Sequence, residues 1–381
     1  MREARLACLF PFLVVIALVV GCSSKPQTPL PVETTMPVAV GASATAIETA
    51  PASSPTVPNE EAEVAAPTAG PATAVVSPTS VAMLPLVGAD AAEEDLLDGI
   101  WEERTAMPTA RSEMPAAVLD DLIYVPGGFG GEQTFEVYDP ASDEWRTLAA
   151  LPDGRHHLMS TSHGGRVYVL GGARAGGWEP TATAWAYEPG SDSWTALAAM
   201  PEARVAGAAV SLGEFVYVVG GVGGSNALLR YDPSADTWAS LGALSEAREH
   251  TAAVALGGKI YALAGRWEGS GERRSVEVYD PETNTWTAGP AMEVARGGHG
   301  ATELAGRIVV VGGEVFATGR ETLDSVEIFD PEAGSWSGAP PLPVPLHGVP
   351  AASVDGRLFV LGGSDLAGAV ENRGRVLRYT P

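Results

Sequence analysis

The sequence predicts an all-β repeat array whose unit is four short strands, and three observations carry that reading. A glycine pair or a close variant ends a short apolar run six times: Val125-Pro126-Gly127-Gly128, Val169-Leu170-Gly171-Gly172, Val219-Gly220-Gly221, Leu263-Ala264-Gly265, Val311-Gly312-Gly313 and Leu361-Gly362-Gly363. Their first members stand 44, 49, 44, 48 and 50 residues apart. An aromatic residue precedes a tryptophan by seven positions at Tyr138/Trp145, Tyr187/Trp194, Tyr231/Trp238, Tyr279/Trp286 and Phe329/Trp336. A fixed period of this length, carried by runs such as Arg166-Val167-Tyr168-Val169-Leu170, belongs to strand-built repeats and not to a domain with one core.

The chain begins with a different kind of sequence. A basic start, Met1 to Arg5, precedes fifteen apolar residues, Leu6 to Val20, and Gly21-Cys22 follows. That stretch is too short to span a bilayer and reads as a signal peptide, residues 1–22. Its Val-Val-Gly-Cys end resembles the lipobox of bacterial lipoproteins. The resemblance implies a lipidated Cys22 and an exported protein anchored in the cell envelope, at the outer membrane or cell surface. Residues 23–97 hold eleven prolines among Ala, Thr, Val and Ser and show no period, as expected of a disordered tether.

The only cysteines are Cys8 and Cys22, so the exported body has no internal disulfide and must be held by packing. Net charge is −24. An acidic body repels phosphate backbones and anionic lipid, which argues against nucleic acid as a partner and leaves the lipid anchor as the only membrane contact.

From residue 98 the unit can be written strand by strand. An arginine opens a strand of small residues, and a turn such as Leu256-Gly257-Gly258-Lys259 leads into the apolar strand that ends at the glycines. A variable loop, a strand ending in the aromatic, a turn and the tryptophan strand complete it. Asp-Pro follows the aromatic at 139, 232, 280 and 330, where a turn between strands suits both residues. The sixth unit stops at Tyr379-Thr380-Pro381 before any tryptophan, whereas Trp101 stands ten residues before Arg111, the same interval as Trp145 to Arg155. The strand around Trp101 is therefore expected to complete the last blade and remove the exposed edges of an open array.

Diglycine, spaced Tyr and Trp, and segments such as Ser275-Val276-Glu277-Val278-Tyr279-Asp280-Pro281 together resemble kelch repeats over residues 98–381. The resemblance implies a six-bladed kelch-type β-propeller. Departures are small: Ala264 replaces a glycine, Phe329 a tyrosine, and Leu346 stands where the sixth arginine would be.

Antiparallel strands put the loop between blades and the loop after each glycine pair on one face. Those second loops are long in blades two, four, five and six, so that face is the expected binding face. Arg111, Arg155, Arg204, Arg248 and Arg296 each lie sixteen residues before the first residue of a glycine pair, and His347 stands beside the sixth place. These arginines are expected either to ring the channel mouth and hold an acidic ligand by paired hydrogen bonds, or to serve as structural grammar between blades. Trp178 and Trp267 fall outside the repeat pattern and are the candidates for stacking on a sugar. His156, His157, His250, His299 and His347 cluster at strand starts but at three offsets from the arginine position, so no metal site is expected.

The expected function is a binding module for a protein or glycan, with an acidic one as the candidate the arginines suit, and with no catalytic residue and no cofactor assigned. Galactose oxidase, a kelch enzyme, builds its copper radical on a Cys–Tyr crosslink, which a cysteine-free propeller cannot make. The alternative is an epimerase resembling the periplasmic kelch proteins that interconvert anomers of sialic acid. Under that resemblance His157, Glu249, His250 and His299 could move protons, with Arg155 or Arg248 holding the carboxylate.

Overall fold

The computed structural model describes residues 96–381 except 269, 318, 369 and 370. The signal peptide, Cys22 and nearly all of the tether lie outside the described residues. Leu96 is already part of the body: it is 1% exposed, and Tyr379 Oη donates to its carbonyl at 2.6 Å.

Six four-stranded antiparallel sheets form the blades among the described residues. The first consists of Ala117–Leu119, Leu122–Pro126, Phe135–Asp139 and Glu144–Thr147, paired in that order from the channel outward. The inner strands of blades two to six are Met159–His163, Ala208–Leu212, Ala252–Leu256, Gly300–Leu304 and Ala351–Val354. Each inner strand packs on the next, and the sixth returns to the first. The expected closure is found. Ile100–Arg104 pairs antiparallel with Val376–Thr380 as the outer strand of the sixth blade, with Trp101 opposite Tyr379.

The repeating residues mark inter-blade joints. Each first glycine of a pair sits at positive φ beside the carbonyl that opens the next blade: Gly312 has φ +62°, and a Cβ there would lie 2.3 Å from Leu346 O. The second glycine donates its N–H to that same carbonyl, as in Gly128 to Arg155 O at 2.9 Å and Gly363 to Arg111 O at 2.8 Å. Each Trp indole donates to a carbonyl of the preceding blade, from Trp145 to Thr105 O at 2.9 Å through to Trp101 to Pro340 O at 3.0 Å. The tryptophans are half-buried clamps against the core, not members of it. Between blades the core is aliphatic and aromatic, for example Ile123, Val125, Tyr138, Phe359 and Leu361.

The long loops are more ordered than sequence suggests. Three carry small two-stranded additions: Arg155–His156 with Ala173–Arg174, Arg266–Trp267 with Gly271–Glu272, and Glu314–Val315 with Glu321–Thr322. Adjacent loops also bond one another, since Phe316 N donates to Glu272 at 3.0 Å and Gly368 N to Glu314 at 2.8 Å.

Candidate functional site

The five repeated arginines are buried, at 0–1% exposure, instead of ringing the mouth. Their spacing has a local cause. The guanidinium of Arg111 donates to Gly127 O at 2.7 Å, Arg204 to Gly220 O at 3.4 Å, Arg248 to Ala264 O at 3.1 Å and Arg296 to Gly312 O at 2.7 Å, always the carbonyl sixteen residues on. Three of them close a buried ion pair with a glutamate of the third strand: Arg111 with Glu136 at 2.7 Å, Arg248 with Glu277 at 2.8 Å and Arg296 with Glu327 at 2.5 Å. Where that glutamate is missing the arginine finds another partner. Arg155 pairs with Asp153 at 2.8 Å and lies 5.3 Å from the Trp185 ring, and Arg204 pairs with Glu202. In the sixth blade Leu346 and Leu377 replace arginine and glutamate together and share one apolar cluster. Buried inside the blades, these guanidiniums present no surface to an acidic ligand.

What does face the channel is the residue two places after each arginine position: Glu113, His157, Ala206, His250, Gly298 and Gly348. All six have positive φ, between 48° and 64°. Their backbones form a closed ring across all six blades. The amide of Glu113 donates to Gly348 O at 2.9 Å, His157 to Glu113 O at 2.9 Å, Ala206 to His157 O at 2.9 Å, His250 to Ala206 O at 2.7 Å, Gly298 to His250 O at 2.9 Å, and Gly348 to Gly298 O at 2.7 Å. The six residues also line a channel cavity of about 150 Å³. Three positions bear functional side chains and three bear a methyl group or nothing, so the chemistry gathers on one side of a backbone ring.

The three side chains converge. His157 Nε2 lies 3.3 Å from Glu113 Oε2 and 3.1 Å from His250 Nε2, which is 4.0 Å from the same carboxylate oxygen. His347 Nδ1 stands 3.4 Å from Glu113 and 3.4 Å from Glu314. Arg266 joins the cluster by pairing with Glu249 at 2.8 Å and with Glu314. Burial pulls the His157 imidazole down to about 3, against the pull of Glu113. Burial acts on His347 in the same sense, but Glu113 and Glu314 prevail and raise it. Burial would raise the Glu113 carboxyl, yet the surrounding imidazoles hold it well below the usual range.

Trp178, from the long loop of blade two, is 57% exposed and covers this cluster, its ring 4.5 Å from that of His157 and 5.4 Å from that of His156. Trp267 is half-buried on the blade-four addition. His156 and His347 are buried within the cluster's surroundings. His299 lines the channel cavity one residue deeper, where burial lowers its imidazole to about 3. Glu113 is the residue that reading along the chain passes over, because Arg-Ser-Glu-Met looks like ordinary repeat sequence. Reading down the six units at that one offset gives Glu, His, Ala, His, Gly, Gly and would have found it.

Comparison with known proteins adds a family and a fold. A family model described as N-acetylneuraminate epimerase matches residues 105–380. Beta-scruin of Limulus polyphemus is 33% identical over 76 residues, 19% of this chain and 8% of that protein. Kelch-like protein 40 of Mus musculus is 39% identical over 75 residues, 19% of this chain and 12% of that protein. These matches span only a small part of either relative, about the length of one to two repeats. The solved structure of YjhT superposes with a TM-score of 0.63 at 19% identity, covering 72% of this chain and 96% of that one, and so shares the fold.

Proposed function

The chain belongs to the N-acetylneuraminate epimerase family, and from that premise we propose that its propeller takes an acidic sugar of the N-acetylneuraminate class at the long-loop mouth and interconverts its anomers. Fold alone would not support this, since one propeller hosts many functions. The observation that carries it is the convergence of Glu113, His157 and His250 at the channel mouth beneath an exposed Trp178. Opening a sugar ring at its anomeric carbon removes a proton from the anomeric hydroxyl and delivers one to the ring oxygen. A carboxylate 3.3 Å from one imidazole, which lies 3.1 Å from a second, can relay both. Trp178 supplies an apolar face for the sugar ring. Among the arginines, Arg266 lies inside the cluster and is the nearest cation for the sugar's carboxylate.

A second reading, a glycan-binding module without turnover, is favoured by the same exposed Trp178. Export and attachment through Cys22 would present either activity at the cell envelope. Two-dimensional exchange NMR of N-acetylneuraminate anomers with the full-length protein separates the readings. Faster anomer exchange, lost by about 10²-fold or more in Glu113→Gln and His157→Ala, supports the epimerase. Saturation transfer without exchange selects the binding module, and neither signal with this sugar or its close analogues overturns both.

A further inference from the structure

With neutral rings, the hydrogen bonds around the converging side chains assign which nitrogens carry protons. His156 Nε2 lies 2.9 Å from Gly177 O, which can only accept, so that nitrogen bears the hydrogen and neutral His156 keeps a lone pair on Nδ1. His156 Nδ1 is 2.8 Å from His157 Nδ1, so His157 must donate there and keep its lone pair on Nε2. His250 Nδ1 contacts the Glu249 carboxylate, another acceptor, and so His250 also keeps its lone pair on Nε2. Two imidazole lone pairs and the Glu113 carboxylate thus point at one another with no proton among them. Such an arrangement is repulsive unless a proton or a metal cation sits at its centre.

From this geometry we propose that Glu113, His157 and His250 form a binding site for a divalent transition-metal ion of the zinc class. The three donor atoms are separated by 3.1, 3.3 and 4.0 Å. Metal–ligand bonds of ~2.0–2.1 Å at tetrahedral angles require about 3.3 Å between ligands, which both His157 separations meet, while the 4.0 Å between His250 and Glu113 must close by about 0.7 Å on binding. The donor set, two histidines and a carboxylate, suits a site with three protein ligands and an open position. Its outer partners are those a metal-binding histidine uses: Glu249 orients His250, and the His156–Gly177 carbonyl chain orients His157. The site is built by the backbone ring, which brings three units' side chains together from positions 137 residues apart in sequence. Gly298 and Gly348, between His250 and Glu113 in the ring, carry no side chain, and Ala206, between the two histidines, carries only a methyl group, so the open coordination position faces the channel cavity. A bound ion would give an acidic sugar an electrophile for its oxygens and would occupy the lone pairs that the proton relay uses, so relay and metal binding are alternative working states of one site, and the site itself does not depend on the identity of the sugar.

The test is metal binding by the full-length protein. After stripping with a chelator, titration with zinc chloride followed by calorimetry is expected to show one ion per chain, and cobalt(II) the visible bands of a four-coordinate nitrogen–oxygen site. His157→Ala and His250→Ala should abolish both signals, Glu249→Gln should weaken binding about 10–100-fold, and His163→Ala, remote from the cluster, should change neither. Near-ultraviolet circular dichroism checks that each variant is folded. Absence of stoichiometric binding in the parent protein overturns the proposal, as does zinc binding that survives His157→Ala in a folded variant. Anomer exchange measured on the same samples stands apart: zinc binding without exchange removes the epimerase reading alone, and exchange without zinc binding removes the metal alone.

Discussion

Arg296 and Glu327 exchange a charge pair inside the fifth blade where the sixth has Leu346 and Leu377. Nature has thus made the substitution within one molecule, and it shows that the pair is a choice of packing and not a requirement of the ring. Breaking a buried pair from one side leaves an uncompensated charge, so Arg296→Leu is expected to lower stability by about 3–5 kcal/mol. Arg296→Leu combined with Glu327→Leu should recover most of that loss, although the Glu293 and Val294 amides then lose their carboxylate acceptor. Chemical denaturation of the three proteins measures both effects, and an additive double variant would show that the leucines of blade six need their own surroundings. Trp178 is the opposite case. Being mostly exposed, Trp178→Ala should change stability by no more than about 0.5 kcal/mol while weakening sugar binding by calorimetry. Unchanged affinity would remove it from the site.

Strand Ile100–Arg104 shows how an element far away in sequence becomes obligatory. It covers the edge of Val376–Thr380, its Trp101 ring lies 5.0 Å from Tyr379, and its indole holds Pro340 O. Without it the sixth blade would expose a row of unpaired backbone groups and its half of an apolar cluster. A chain starting at residue 107 is therefore expected to melt well below the full-length protein and to self-associate. One starting at residue 95 retains Leu96 and should melt close to it. Trp101→Ala removes a half-buried clamp, so its cost should fall below the ~3–5 kcal/mol typical of a fully buried tryptophan. Differential scanning calorimetry decides both points, and equal melting of the two shortened chains would contradict this closure.

At the scale of the whole molecule, six amides in a closed ring hold the channel mouth, and each repeat contributes one link. A six-fold backbone with an irregular set of side chains separates the labour: the ring fixes positions, and substitution at three of them supplies chemistry without disturbing the fold. How this body is presented depends on the leader. Cys22→Ser is expected to release the protein from the membrane fraction or leave it unprocessed, as read by fractionation and metabolic labelling with a fatty acid. Unchanged labelling would end the proposal of a lipid anchor.

The repeat made the six blades, their four strands and the closure through Trp101 legible in the sequence, because each depends on a local pattern recurring at a near-constant interval. The arginine spacing was equally visible, but its meaning was not. The same residue at the same offset can point outward or inward, and only burial against Glu136, Glu277 and Glu327 decided that it points inward. The site was least legible. Glu113, His157 and His250 come from three separate units and meet only after the ring has closed, at an offset where the other three units have Ala206, Gly298 and Gly348. Local sequence determines strands and turns through short-range sterics and hydrogen bonds. Which side chains converge on the channel is settled by closure, which joins residues that share an offset in the repeat and no neighbourhood along the chain.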